Sequence, residues 1–247
     1  MNSTEQLADR QWRDYRARQP GTCFADPDFE LSLAAAYDLQ DAVAKLRVAS
    51  GDRLVGYKVG CTGPGTTQQF GMEGPIRGRL FESEVRRPGD ALNFDDFAHL
   101  AIEGEMAVRI GPDRTIAAAF PVIELHHYVF RGARRTLPEL IANNGLNAGF
   151  VPPPDDWLGS KAYIDRSGVL SVRINDRLVA SGGLWPMSGG ANSSLHWLRR
   201  QLAATRDDLP PGDIILTGTP LELYPVHKGD QVAVLVDDKV GARCSIV

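Results

Sequence analysis

The sequence predicts an α+β fold: a mainly helical N-terminal domain, residues 1–72, packed on a larger β-rich, mixed-sheet domain, residues 73–247. Three observations predict it. Apolar residues recur at helical spacing between residues 33 and 49. From residue 72 onward, glycine and proline punctuate the chain at GPIRG, RRPGD, IGPDR, VPPPDD and LPPGD. The C-terminal third holds strand-like runs that pair around Asn175-Asp176 and Asp237-Asp238.

Taken in order, residues 3–18 read as a helix with sparse apolar positions at Leu7, Trp12 and Tyr15. Ser32 is placed to N-cap a second helix carrying Leu33, Tyr37, Val43, Leu46 and Ala49, which Gly51 ends. LVGYKVG, residues 54–60, is a short strand, followed by a glycine-rich corner and a short helix at Thr66–Phe70. In the β-rich part, TLPELIANNG is a helix with Thr136 and Glu139 as a capping box and Gly145 as its stop. NSSLHWLRRQLAATRDD is another, with Leu195, Leu198 and Leu202 as its apolar stripe. The hairpins VLSVRI/RLVASG and QVAVLV/VGARCSIV close the chain.

Length and composition are those of an ordinary globular protein: 247 residues, 43% apolar and 23% charged. A net charge of −4 disfavours nucleic acid or an anionic membrane as partner. Cys23, Cys61 and Cys244 are odd in number and far apart, which excludes a disulfide framework or a thiolate zinc cage. The polar N-terminus carries no signal-like apolar run, so a cytoplasmic protein is expected.

The residues that invite chemistry begin with IEGEMAV. Alternation puts Glu103 and Glu105 on one face of a strand, whose plainest reading is a solvated face. Glu124 argues otherwise, because it sits within the apolar run FPVIELHHY, where an unpaired carboxylate is costly. Three carboxylates pointing one way suit a hard dication such as Mg²⁺ or Mn²⁺. His126 would share the face of Glu124. The pair His126-His127 reads as an amphipathic strand end, with a histidine–carboxylate site for zinc or iron as the alternative. Lys58 lies between glycines in VGYKVG, which fits either close approach of a ligand or an edge-strand lysine. CTGPGTTQQ lacks the lysine of a phosphate loop and reads as a turn. Thr217 and Thr219 in GDIILTGTP could hold a carboxylate or simply form a turn.

Together, AYDLQDAVAKLRVASGDRLVGYKVG, TTQQFG, GRLF, IEGEMAV, VIELHH, LIANNGLNAGFV, HWLRRQLA and GDIILTGTP resemble, in order, motifs of the fumarylacetoacetate hydrolase superfamily. Their best likeness is to the branch of 2-keto-4-pentenoate hydratases, 2-oxohept-4-ene-1,7-dioate hydratases and 4-oxalocrotonate decarboxylases. The resemblance implies that Glu103, Glu105 and Glu124 bind Mg²⁺ or Mn²⁺, which a 2-oxo acid chelates. It implies Lys58 as the catalytic charge partner and proton donor, with Leu80, Asn143 and Thr219 contacting substrate. It implies a small 2-oxo acid substrate and a homo-oligomer, with a sister decarboxylase or hydratase as a further partner.

The leading expectation is therefore a metal-dependent hydratase of 2-hydroxydienoates in aromatic-compound catabolism, in which the metal stabilises the enolate before water addition. A 2-oxo-enedioate decarboxylase or an acylpyruvate hydrolase is the alternative, and a non-catalytic partner subunit a further one. Two departures bear on the choice. Ser83, flanked by Glu82 and Glu84, stands where the branch usually has an acid that moves protons, and Asn143 stands where an aspartate is common.

Overall fold

The computed structural model describes residues 3–72, 74–205 and 208–247. Two helices open the chain, α1 (Thr4–Arg16) and α2 (Leu33–Ala49), and they pack on each other. Ser3 caps α1 in a reciprocal pair with Gln6, and the Ser32 hydroxyl accepts from the Ala35 amide at the start of α2.

The rest is two sheets. The larger contains β1 (Leu54–Gly60), β2 (Ile76–Phe81), β4 (Leu100–Ile110), β5 (Ile116–His127), β6 (Asn147–Val151), β9 (Ile214–Leu216) and β10 (Tyr224–Pro225). Its order is β2-β1-β9-β4-β5-β6, with β10 added on β4. The smaller contains β3 (Ala91–Leu92), β7 (Val169–Ile174), β8 (Arg177–Gly183), β11 (Gln231–Val236) and β12 (Lys239–Ile246), in the order β3-β12-β11-β7-β8. The sheets are mixed: β1 runs parallel to β9 and β3 parallel to β12, and the remaining pairs are antiparallel. Among the described residues four α-helices lie between strands: α3 (Pro64–Phe70), α4 (Leu137–Ala142), α5 (Asp155–Leu158) and α6 (Ala191–Thr205). Among the described residues no helix is long and apolar enough to cross a membrane.

The core explains why β4 and β5 read as nearly continuous apolar runs. One face of β4, with Ile102, Met106 and Val108 fully buried, packs on the small sheet. Contact is close at Gly104, where a Cβ would lie 2.5 Å from Val172 and 3.0 Å from Val234. The opposite face, with Glu103 and Glu105, is covered in turn, so neither face of this strand is simply wet.

The expected α+β class is present. Both hairpins form, with Asn175, Asp176, Asp237 and Asp238 all at positive φ, as a tight primed turn requires. Two local expectations are corrected. Thr136 does cap α4, but the Glu139 carboxylate turns away to accept from the Arg131 and Gly132 amides, so there is no reciprocal box. Lys58 is not on an edge strand, since β1 lies between β2 and β9. Glu73, where the second domain was expected to begin, lies outside the described residues, as do Arg206 and Asp207 at the expected end of α6. Strands from both sides of residue 73 share the large sheet.

Candidate metal centre and its cavity

Strand register builds the site. Glu103 and Glu124 are direct partners across the β4–β5 pair, and His126 is opposite Ala101. Glu105 follows Glu103 by two residues, so all four side chains rise from one face. Lys58 is opposite Leu216 of β9, which is opposite Ala107 of β4, and this places the lysine on that same face.

The path of Lys58 is cleared by glycines. Its aliphatic chain runs past Gly60, past Gly78 (its partner on β2) and past Gly145, each of whose Cβ positions would crowd it. The ammonium ends 2.6 Å from Glu124 Oε1 and donates to the Gly145 carbonyl at 3.3 Å. Asn147 Nδ2 donates to the same Glu124 oxygen at 2.7 Å. Burial by itself would discharge Lys58, but Glu124 and then Glu103 outweigh it and hold the ammonium well above the usual lysine range. Burial likewise opposes charge on Glu124, yet Lys58 and His126 keep its carboxyl below the usual range. Glu105 goes the other way: burial first, then the charge on Glu124, push it well above the usual range.

Glu105 is fully buried. Its Oε2 accepts from the Gly218 amide at 2.6 Å, while Oε1 has no hydrogen-bond donor among the described residues. A carboxylate oxygen buried beside a second carboxylate needs either a shared proton or a cation. His126 has the same need: it is 2% exposed, and neither ring nitrogen has a hydrogen-bond partner among the described residues. One donor atom from each of Glu103, Glu124 and His126 lies within 4.8 Å of the others. These donors fit a divalent cation.

The segment after β9 locks the arrangement. Thr217 donates its hydroxyl to the Met106 carbonyl and Thr219 to the Gly104 carbonyl, each at 2.7 Å. The threonines therefore tie the chain to β4, and the amide between them, at Gly218, holds the carboxylate of Glu105.

Above this floor opens a cavity of about 490 Å³, with Lys58, Glu103 and His126 at its base. Thr66, Gln69 and Phe70 form one wall, so CTGPGTTQQ contributes a helix to the cavity rather than only a turn. Tyr128, Phe130 and Arg135 form another. Arg135 donates to the Tyr128 hydroxyl at 2.7 Å and lies over both aromatic rings.

Of the expected site residues, Lys58, Glu103, Glu105 and Glu124 are brought together, and Thr219 lines the cavity. Leu80 does not line it. It is on the correct face of β2 but opposite Gly56, whereas the cavity opens at the other end, where Ile76 meets Gly60. Asn143 is also elsewhere: it caps α4 and hydrogen-bonds to Gln11 of α1 and the Glu139 carbonyl. The stretch Glu82–Glu84 continues past the Leu80 end of β2. There Glu82 pairs with Arg53, Ser83 with Asp52, and Glu84 with Arg47 and Tyr15. Sequence reasoning missed Asn147 and Arg135, whereas the Gly218 amide lies in GDIILTGTP, the segment expected to be able to hold a carboxylate. Of these two, only Asn147 left a signal, in the dense run NNGLN.

The fold and this carboxylate-floored cavity define a fumarylacetoacetate hydrolase-type α+β protein. The 4-oxalocrotonate decarboxylase from Pseudomonas putida G7, solved with magnesium and adipate, superposes with a TM-score of 0.88 over 99% of this chain and 97% of its own, at 21% identity. No family model matches the chain. The TodF product hydratase of Pseudomonas putida F1 is 29% identical over 218 residues, 81% of this chain and 79% of the relative. The 4-oxalocrotonate decarboxylase of Pseudomonas sp. CF600 is 26% identical over 83% of this chain and 82% of its own. Relatives named 2-keto-4-pentenoate hydratase and 4-oxalocrotonate decarboxylase, each matched over four-fifths or more of this chain, support its likeness to this branch of the fumarylacetoacetate hydrolase superfamily.

Proposed function

We propose that the protein is a divalent-cation-dependent lyase of small 2-oxo acids, a hydratase acting on 2-hydroxydienoates in aromatic-compound catabolism. The observation that carries this reading is the Lys58 ammonium, buried 2.6 Å from Glu124 at the base of a cavity whose floor holds Glu103 and His126. Relatives named as hydratases support it.

Glu103, Glu105 and Glu124 would hold the cation, Mg²⁺ or Mn²⁺. When bound, it supplies Lewis acidity toward the oxygens of a 2-oxo acid. Lys58 stays charged and has one further N–H for the cavity it lines, where it can pair with a substrate oxygen and hand over a proton from Nζ. Thr219 and Gly218 keep Glu105 in place, and the apolar wall of Phe70, Phe130 and Leu146 takes the hydrocarbon part of the substrate while limiting water.

Ser83 and Asn143, the departures that favoured a non-catalytic subunit, both point away from the cavity, so that alternative loses its support. The same reading carries a cytoplasmic homo-oligomer.

Arg135 favours a second reading, decarboxylation or hydration of a 2-oxo-enedioate. It is a cation in the cavity wall that could pair with a distal carboxylate. Two outcomes are expected. Chelator-stripped protein reloaded with Mg²⁺ should change the ultraviolet absorbance of a 2-hydroxydienoate, and Glu103→Ala should lose both turnover and bound metal. Absence of any spectral change with reloaded protein would sink the hydratase reading. Arg135→Gln should lower kcat/KM by about tenfold or more for a dienedioate if the second reading holds, and leave a monocarboxylate dienoate unchanged.

A further inference from the structure

The three-glutamate pattern explains the oxygens of the site but leaves His126 unexplained. This ring projects from β5 between Ala101 and Asn147, 2% exposed, into the space bounded by the carboxylates. Its Nε2 lies 3.3 Å from Glu103 Oε2 and 3.6 Å from Glu124 Oε2, and it makes no hydrogen bond to either. Donor atoms neighbouring one another around a six-coordinate ion with bonds of about 2.1 Å are about 3 Å apart. Nε2 approaches that spacing to each of the two oxygens, and one donor atom from each of the three residues lies within 4.8 Å of the others.

The Glu124 oxygen nearest His126 is the one its other contacts leave free: Oε1 takes Lys58 and Asn147, which leaves Oε2 toward His126. Glu103, partly exposed at the cavity floor, turns Oε2 toward the same ring.

We propose that His126 Nε2 is a direct ligand of the cation, so that the site has a mixed nitrogen–carboxylate donor set. The inference rests on the reading of this cluster as a divalent-cation centre, and it changes which ion the centre favours. Magnesium is a hard ion that prefers oxygen and keeps its waters, whereas an imidazole nitrogen adds affinity for Mn²⁺, Fe²⁺ and Co²⁺. The protein therefore discriminates for borderline transition ions over Mg²⁺ through a residue two positions after Glu124. The second nitrogen, Nδ1, has no acceptor among the described residues, so the ring is oriented by its place in the strand rather than by a partner.

The test uses the stripped full chain loaded with one equivalent of Mn²⁺ and examined by pulsed electron paramagnetic resonance. A directly bonded nitrogen coupling is expected that changes isotope when the protein is grown with ¹⁵N-histidine. His126→Gln should abolish it. In equilibrium dialysis the same variant should bind Co²⁺ about tenfold or more weakly, with Mg²⁺ affected by less than about threefold. Stoichiometric Mn²⁺ with no isotope-sensitive coupling would overturn the inference and leave the carboxylate centre standing, and equal weakening of Co²⁺ and Mg²⁺ would do the same. Failure to bind any of the three ions would overturn both. Because the labelled wild-type protein answers by itself, a variant that fails to fold does not remove the test.

Discussion

At the residue scale the site depends on a balance between burial and pairing. Lys58 and Glu124 are 3% and 1% exposed, and an isolated charge at that depth would be neutralised. Each survives because the other is 2.6 Å away and because the Gly145 carbonyl accepts from Lys58 and the Asn147 amide donates to Glu124. Asp213 lacks such a partner. Its Oδ2 is buried without a hydrogen bond among the described residues, and burial, then Asp208, push its carboxyl from 3.8 up to about 6. The folded state thus holds this proton more tightly than the unfolded chain. The associated stability is complete below pH 3.8 and lost as pH rises through about 6. Asp213→Asn should therefore raise stability at pH 8 by about 1–2 kcal/mol, allowing for solvent screening, with the gain vanishing below pH 4. Urea titrations of both proteins at the two pH values check this, and a pH-independent difference would refute it.

At the element scale β4 has two jobs on its two faces. One carries Glu103 and Glu105 toward the cavity floor and the other packs on the small sheet, and Gly104 leaves no room for a side chain there. Gly104→Ala should cost about 1–3 kcal/mol through overpacking against Val172 and Val234. Adding Val172→Ala should recover part of that loss, which denaturant melts of the single and double variants would show. The loop NNGLN makes a similar link between layers. Asn144, Gly145 and Leu146 all have positive φ, and the Asn144 side chain bonds both backbone groups of Arg79. The carbonyl of Gly145 is thereby aimed at Lys58, while Asn143 reaches back to α1. Helix α1 is in this way keyed to the site without lining its cavity.

At the scale of the whole molecule, two sheets and a helical layer converge to bury carboxylates that repel one another. A cation that binds only the folded arrangement stabilises it by mass action, about 2.7 kcal/mol at a hundredfold excess over Kd. For a chain of this length the expected rise in Tm is about 5–10 °C on adding Mn²⁺ to stripped protein. Glu105→Gln should remove most of that response, because it takes away one of the carboxylates that would hold the cation. Calorimetry on the two proteins distinguishes this from a general salt effect, which would shift both equally.

Sequence alone determined the faces. A period of two is a local property of an extended chain, so Glu103 with Glu105, and Glu124 with His126, were legible as pairs before any fold was known. The hairpins at Asn175-Asp176 and Asp237-Asp238 were legible for the same reason, since positive φ at two successive residues selects few side chains. What only the tertiary structure decided was which strands are neighbours and which end of each faces the cavity. Insertion of β9 between β1 and β4 brings Lys58 to the glutamates across a sequence gap that carries no local signal. Strand ends are equally invisible: Leu80 and Ile76 share a face of β2, and alternation cannot say that the cavity opens beside Ile76. Side-chain direction is set residue by residue, whereas the position of a cavity along a strand depends on what packs above it.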